Sequence, residues 1–147
     1  GGVLPISAVL TSNEVMLTLK PGEHGSTFGG NPLACVVARA AMEVLLDEKL
    51  AERAAKLGEI FRNELRAMNS PHVEVVRGFG LLNAAVIKPH ERKGEKFTAK
   101  EVCYEMADHG LLAKQTHQHI IRFAPPLVIT ESELERGLGI IKKVLNV

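Results

Sequence analysis

The chain has 147 residues, 46% of them hydrophobic and 24% charged, and its 18 basic and 17 acidic side chains leave a net charge of +1. That composition is ordinary for a soluble globular domain, or for a piece of a larger one. It offers no basic block for a nucleic-acid partner and no apolar run of the roughly 20 residues that a bilayer-spanning helix needs.

The start Gly1-Gly2-Val3 runs directly into apolar residues and reads as a cut through the middle of a longer protein. Val3 to Leu10, rich in Val, Ile and Leu, predicts a short buried strand ended at Thr11-Ser12-Asn13. Val15 to Leu19 is a second, ambiguous apolar stretch. Lys20 to Pro32 then packs four glycines, two prolines and the adjacent hydroxyls of Ser26 and Thr27 into thirteen residues. Such a loop brings backbone amides and hydroxyl donors close to an anion, most naturally a phosphate. A surface loop that caps itself has the same composition. Asn31-Pro32 supplies an N-cap and a first-turn proline, so Leu33 to Leu46 is predicted as a helix, and its scarcity of charge predicts burial on several sides.

Leu50, Ala54, Leu57, Phe61, Leu65 and Met68 recur at helical spacing, with Glu, Arg and Lys between them on a solvated face. Asn69-Ser70-Pro71 closes this helix, and a subdomain boundary is expected there, dividing residues 1–70 from 71–147. Val73 to Val76 and Leu81 to Ile87 predict strands separated by a bend at Gly78-Phe79-Gly80. His90 to Lys96 is a charged loop. Thr98 and Glu101 form a capping box for a helix that stops at Gly110. Leu111 to Ala113 and Ile120 to Ala124 predict short strands around a polar turn. Thr130 and Glu133 make a second capping box before a terminal helix with Leu134, Leu138, Ile141 and Leu145 facing inward. The tail from Val73 is therefore an α+β unit with local strand pairing.

Arg122 lies in the apolar run Ile120-Ile121-Arg122-Phe123 and needs a partner if it is buried. That partner is either one of the protein's own carboxylates or the carboxylate of a substrate, which the planar guanidinium suits. Lys20 and Lys114 read as solvated charges, and His24 as a local hydrogen-bonding residue beside the loop. His117 and His119 have the spacing of a metal pair on one strand face but lack a third ligand, so a polar turn is expected. Cys35 and Cys103 give no disulfide framework and are expected as buried thiols.

Together, Gly25-Ser26-Thr27-Phe28-Gly29-Gly30-Asn31-Pro32-Leu33-Ala34-Cys35 and Val76-Arg77-Gly78-Phe79-Gly80-Leu81-Leu82 resemble the C-terminal portion of class III, fold type I aminotransferases. Three further segments are similar to the ornithine δ-aminotransferase branch: Gly1 to Leu10, Lys20 to His24, and His109 to Lys114 with Ile120 to Leu127. The acetylornithine branch shares the glycine loop and usually differs at the last of these; it, or another ω-aminotransferase such as the 4-aminobutyrate type, is the alternative within the class. A non-catalytic dimerisation or binding module derived from the same fold is the alternative from another class.

The resemblance implies an α/β architecture: the end of a large domain over 1–70 and an α+β small domain over 71–147. It implies pyridoxal 5'-phosphate as cofactor, with Ser26 and Thr27 on its phosphate in a neighbouring subunit's site, and hence a homodimer. Arg122 matches the arginine that holds the substrate α-carboxylate, and ornithine and 2-oxoglutarate are the implied substrates. The Schiff-base lysine of the class matches a position upstream of Gly1, so no catalytic residue is assigned within the chain, and the 147 residues alone are expected not to transaminate. No metal, nucleic-acid or membrane role is implied. Mitochondrial matrix and cytoplasm are both compatible with the sequence.

Overall fold

A computed structural model describes residues 2–92 and 95–145. The chain divides into two compact units, Gly1–Lys49 and Leu50–Val147.

In the first unit the residues from Val3 to Leu10 form no strand, and Val3, Val9 and Leu10 are exposed. The expected strand fails for a plain reason. A strand needs a neighbour for its N–H and C=O groups, and no described residue of this unit forms one. Asn13–Met16 instead makes a single helical turn, α1. Helix α2, Pro32–Asp47, starts where the sequence predicts: Asn31 Oδ1 accepts from Ala34 N at 3.1 Å and Pro32 occupies the first turn. Its expected burial on several sides is not found. None of its residues is buried, and Val36, Met42 and Leu46 are exposed, so within this unit its low charge is not matched by a packing partner.

The second unit begins with α3, Leu50–Ala67, and so takes in the helix that precedes residue 71. The cause is packing: Leu50, Ala54, Leu57, Phe61 and Leu65 turn their apolar face onto the sheet that follows. That sheet contains β1 (Val73–Phe79), β2 (Leu82–Ile87), β5 (Lys114–Thr116) and β6 (Ile120–Phe123), in the order β1-β2-β6-β5 with every neighbour antiparallel. The strand expected at Leu111 to Ala113 thus lies slightly later in the chain. Between β2 and β5 come β3 (His90–Arg92) and β4 (Glu95–Phe97), a small hairpin where a charged loop was expected. Residues 93 and 94 of that segment lie outside the described residues.

Helix α4 (Ala99–Asp108) follows a capping box in which Glu101 accepts from both the backbone N–H, at 3.0 Å, and the hydroxyl of Thr98. Helix α5 (Glu131–Val144) repeats the device: Thr130 N donates to Glu133 Oε2 at 2.8 Å and Glu133 N donates to Thr130 Oγ1 at 3.2 Å. The core is one cluster drawn from α3, α4, α5 and one face of the sheet, including Leu57, Phe61, Ile87, Met106, Ile121 and Ile141. The rings of Phe61 and Phe123 meet at 5.3 Å and 60°.

One contact fixes α3 against the β1–β2 hairpin. A Cβ on Gly58 would overlap the Gly80 carbonyl, so only glycine allows this approach. Gly80 itself has φ +52 in the turn that joins the two strands. Arg62, one helical turn on from Gly58, reaches over the turn and donates from Nη1 to Gly80 O at 3.0 Å and to the buried Asn83 Oδ1 at 2.8 Å. Asn83 Nδ2 donates to the same carbonyl at 3.2 Å. Arg62 also pairs with Glu59, and its guanidinium holds the Glu59 carboxyl below the usual carboxylate range. The sequence pattern assigned Arg62 to the solvated face, yet it is only 8% exposed.

Gly58→Ala should therefore destabilise by about 1–3 kcal/mol through overpacking, although alanine is the better helix former. Gly139→Ala, in α5 with nothing within 4 Å of its added Cβ, should stabilise by roughly 0.5–1 kcal/mol. Thermal unfolding of both variants checks the opposite signs. The capping boxes add a pH dependence. Hydrogen bonds from Thr98 hold Glu101, and those from Thr130 hold Glu133, below the ordinary 4.5. A lowered folded value means stabilisation present above the unfolded pKa and lost as pH falls through the folded one. Melting temperature should fall on acidification below about pH 4.5, and the double variant Glu101→Gln, Glu133→Gln should show a shallower fall.

Candidate functional site

The glycine-rich loop of the first unit is a series of local turns. Lys20 N donates to Glu23 Oε2 at 2.7 Å, and Glu23 N returns to Lys20 O at 3.1 Å. Ser26 Oγ accepts from Gly29 N at 3.1 Å, and Asn31 N donates to Phe28 O at 3.2 Å before α2 begins. Ser26, Thr27 and His24 are all exposed. The Ser26 oxygen is used locally as an acceptor, which leaves its hydrogen free to donate outward. Thr27 follows it in the chain, so the loop ahead of α2 carries two exposed hydroxyls able to donate. Self-capping and anion binding are therefore compatible.

Arg122 belongs to the second unit, in β6. The strand alternates: Ile121 and Phe123 are buried against the helices, whereas Arg122 points to the opposite, open face and is exposed. The internal ion pair weighed from the sequence is absent among the described residues, where the ion pairs are Lys56–Glu131 and Arg62–Glu59. The apolar run misled because both flanking isoleucine and phenylalanine side chains reach the core from one face, while the arginine takes the other. Arg122 pairs in register with Ala84 on β2 and with Lys114 on β5. Lys114, expected as a solvated charge at a strand end, is exposed and is the first residue of β5, directly beside Arg122.

His117 and His119 sit in the turn between β5 and β6, with φ +46 at His117 and +49 at Gln118, and not on one face of a strand. Among the described residues no cluster of His, Cys, Asp or Glu could hold a metal ion. Cys35 is half-buried in α2; Cys103 is buried in α4, and burial pushes its thiol above the ordinary range. No described helix is long and apolar enough to cross a membrane.

Ser26 and Thr27 lie in one unit and Arg122 in the other. The sequence signal that was missed is Lys114. Strand alternation with the correct register, Lys114 opposite Arg122, would have found it.

The family model for aminotransferase class-III matches residues 1–145. The chain is 57% identical over 145 residues to the mitochondrial ornithine aminotransferase of Drosophila melanogaster, covering 99% of this chain and 32% of that protein. It is 54% identical over 149 residues to the ornithine aminotransferase of Saccharomyces cerevisiae, covering 99% and 35%. Among solved structures, an ornithine aminotransferase from Plasmodium yoelii superposes with a TM-score of 0.84 at 40% identity, over 93% of this chain and 35% of that one. An acetylornithine aminotransferase from Elizabethkingia anophelis gives 0.82 at 49% identity, over 93% and 36%. The chain spans about a third of the length of the curated relatives it matches. With its α+β second unit and a match along nearly its whole length, the chain belongs to the class-III aminotransferase family.

Proposed function

We propose that the full-length protein carrying this chain is a pyridoxal-phosphate-dependent ornithine δ-aminotransferase, which moves the δ-amino group of ornithine to 2-oxoglutarate and yields glutamate semialdehyde and glutamate. The observation that carries this reading is Arg122: an exposed guanidinium on the open face of an antiparallel sheet, with no carboxylate of its own among the described residues. Such a group is free to take a substrate carboxylate through two parallel charge-assisted hydrogen bonds. Those bonds fix where the rest of the substrate lies, which is how a positioning contact contributes to rate. The relatives named ornithine aminotransferase, at 54–57% identity, support the substrate.

Pyridoxal phosphate, when bound, supplies the electron sink and carries the amino group between donor and acceptor. The chain's own residues fit its phosphate end. The Ser26 and Thr27 hydroxyls are exposed and able to donate, in a loop whose glycines let the backbone come close. In this reading the loop serves the cofactor site of a neighbouring subunit, and the protein is a homodimer. The reading holds for a mitochondrial and for a cytoplasmic form alike.

Two substitutions in the full-length protein test it. Arg122→Ala should lower kcat/KM for ornithine by about ten- to a hundredfold, the loss of 1.5–3 kcal/mol from a hydrogen-bonded charge, with cofactor still bound. Unchanged kcat/KM would exclude the carboxylate role. Thr27→Ala should weaken cofactor retention by a comparable 1.5–3 kcal/mol, on the order of one hydrogen bond to a charged group. Equal cofactor affinity in the variant would remove Thr27 from the phosphate site. A wild-type preference for N-acetylornithine over ornithine would move the protein to the acetylornithine branch.

A further inference from the structure

Residues paired in register across a sheet share a face. The pairing therefore draws one line across all four strands: Arg77 on β1, Ala84 on β2, Arg122 on β6 and Lys114 on β5. The line runs over the open face, since the alternate residues Ala85, Ile121 and Phe123 are buried. Adjacent strands are about 4.8 Å apart, so Lys114 stands directly beside Arg122. Arg77 lies across the small methyl of Ala84 from it, at roughly two strand spacings. All three cations are exposed.

The neighbouring rows are uncharged and, but for Thr116, apolar: Val75, Val86, Ile120 and Thr116 on one side, Phe79 and Leu82 on the other. No carboxylate occupies a paired position on this face among the described residues. Two like charges directly opposite each other on adjacent strands are destabilising, and here no carboxylate is paired with either of them in the described sheet. A lysine on an edge strand also discourages strand addition. That purpose, however, does not require it to face a second cation. Three cations in a line on an apolar floor suit an anion with more than one negative group.

Resting on the reading of Arg122 as the carboxylate anchor, we propose that Lys114 and Arg77 are specificity residues that favour the dicarboxylate 2-oxo acid over the diamino acid at the shared site. Charge distinguishes the two substrates. Ornithine carries one carboxylate and two ammonium groups, whereas 2-oxoglutarate carries two carboxylates and no cation. Positive charge added beside Arg122 attracts the second and opposes the first. The effect weakens with ionic strength, because the row is exposed.

The test separates the two half-reactions of the full-length holoenzyme in single-turnover experiments with Lys114→Gln, Arg77→Gln and the double variant. Each single variant should lower kcat/KM for 2-oxoglutarate by about fivefold, with a smaller salt dependence, and leave that for ornithine equal or higher. A merely structural role would lower both half-reactions together and would overturn the proposal, as would no change in either. Calorimetric titration with glutarate, an unreactive dicarboxylate, gives a readout apart from turnover: weaker binding in Lys114→Gln is expected, and equal binding contradicts the row. The outcomes also keep the two readings apart. A wild-type protein that ignores ornithine yet binds glutarate through Lys114 would refute the proposed reaction and retain the anion row.

Discussion

The second unit depends on how closely α3 can approach the turn between β1 and β2. Gly58 admits the Gly80 carbonyl to the helix surface, and Arg62 closes over it with hydrogen bonds to Gly80 and Asn83. A side chain at 58 would push the turn away, and a shorter residue at 62 would leave the buried Asn83 without its charged donor. Because β2 is hydrogen-bonded to both β1 and β6, seating this turn also seats the strand that carries Arg122. The packing of the helix face and the placement of the exposed arginine are thus one constraint seen from the two sides of the sheet.

The two faces of that sheet do different work. The inner face is closed by α3, α4 and α5, whose starts are pinned for α4 and α5 by reciprocal capping boxes. The outer face is left open, and its pleat decides which side chains appear there. Function in the proposed enzyme is read from that outer face and from the loop ahead of α2. In both places the polar groups face outward, while the local backbone is held by its own hydrogen bonds.

Much of this was legible in the sequence where the controlling physics is local. Asn31-Pro32, Thr98 with Glu101 and Thr130 with Glu133 announced three helix starts, because capping involves residues only three apart. The apolar spacing of α3 predicted its buried face, apart from Arg62. Local pattern puts Arg62 on the solvated face, because its partners, Gly80 and Asn83, are distant in sequence. A glycine in mid-helix one turn before it was the available hint, since Gly58 costs stability unless something approaches closely. Val3 to Leu10 and α2 depart from their local pattern for the opposite reason. Their composition speaks of burial, but burial requires a partner surface that local pattern does not supply. Arg122 fell between the two cases: its chemistry was visible, and its exposure followed only from strand register.

The central claim is that Arg122 and the open face around it receive a substrate carboxylate. Its most direct measurement is a crystal structure of the full-length protein with 2-oxoglutarate bound. The account predicts a carboxylate over the open face, with two oxygens at about 2.7–2.9 Å from the Arg122 guanidinium nitrogens. A structure in which the ligand binds elsewhere, with Arg122 paired to one of the protein's own aspartates or glutamates, would contradict it.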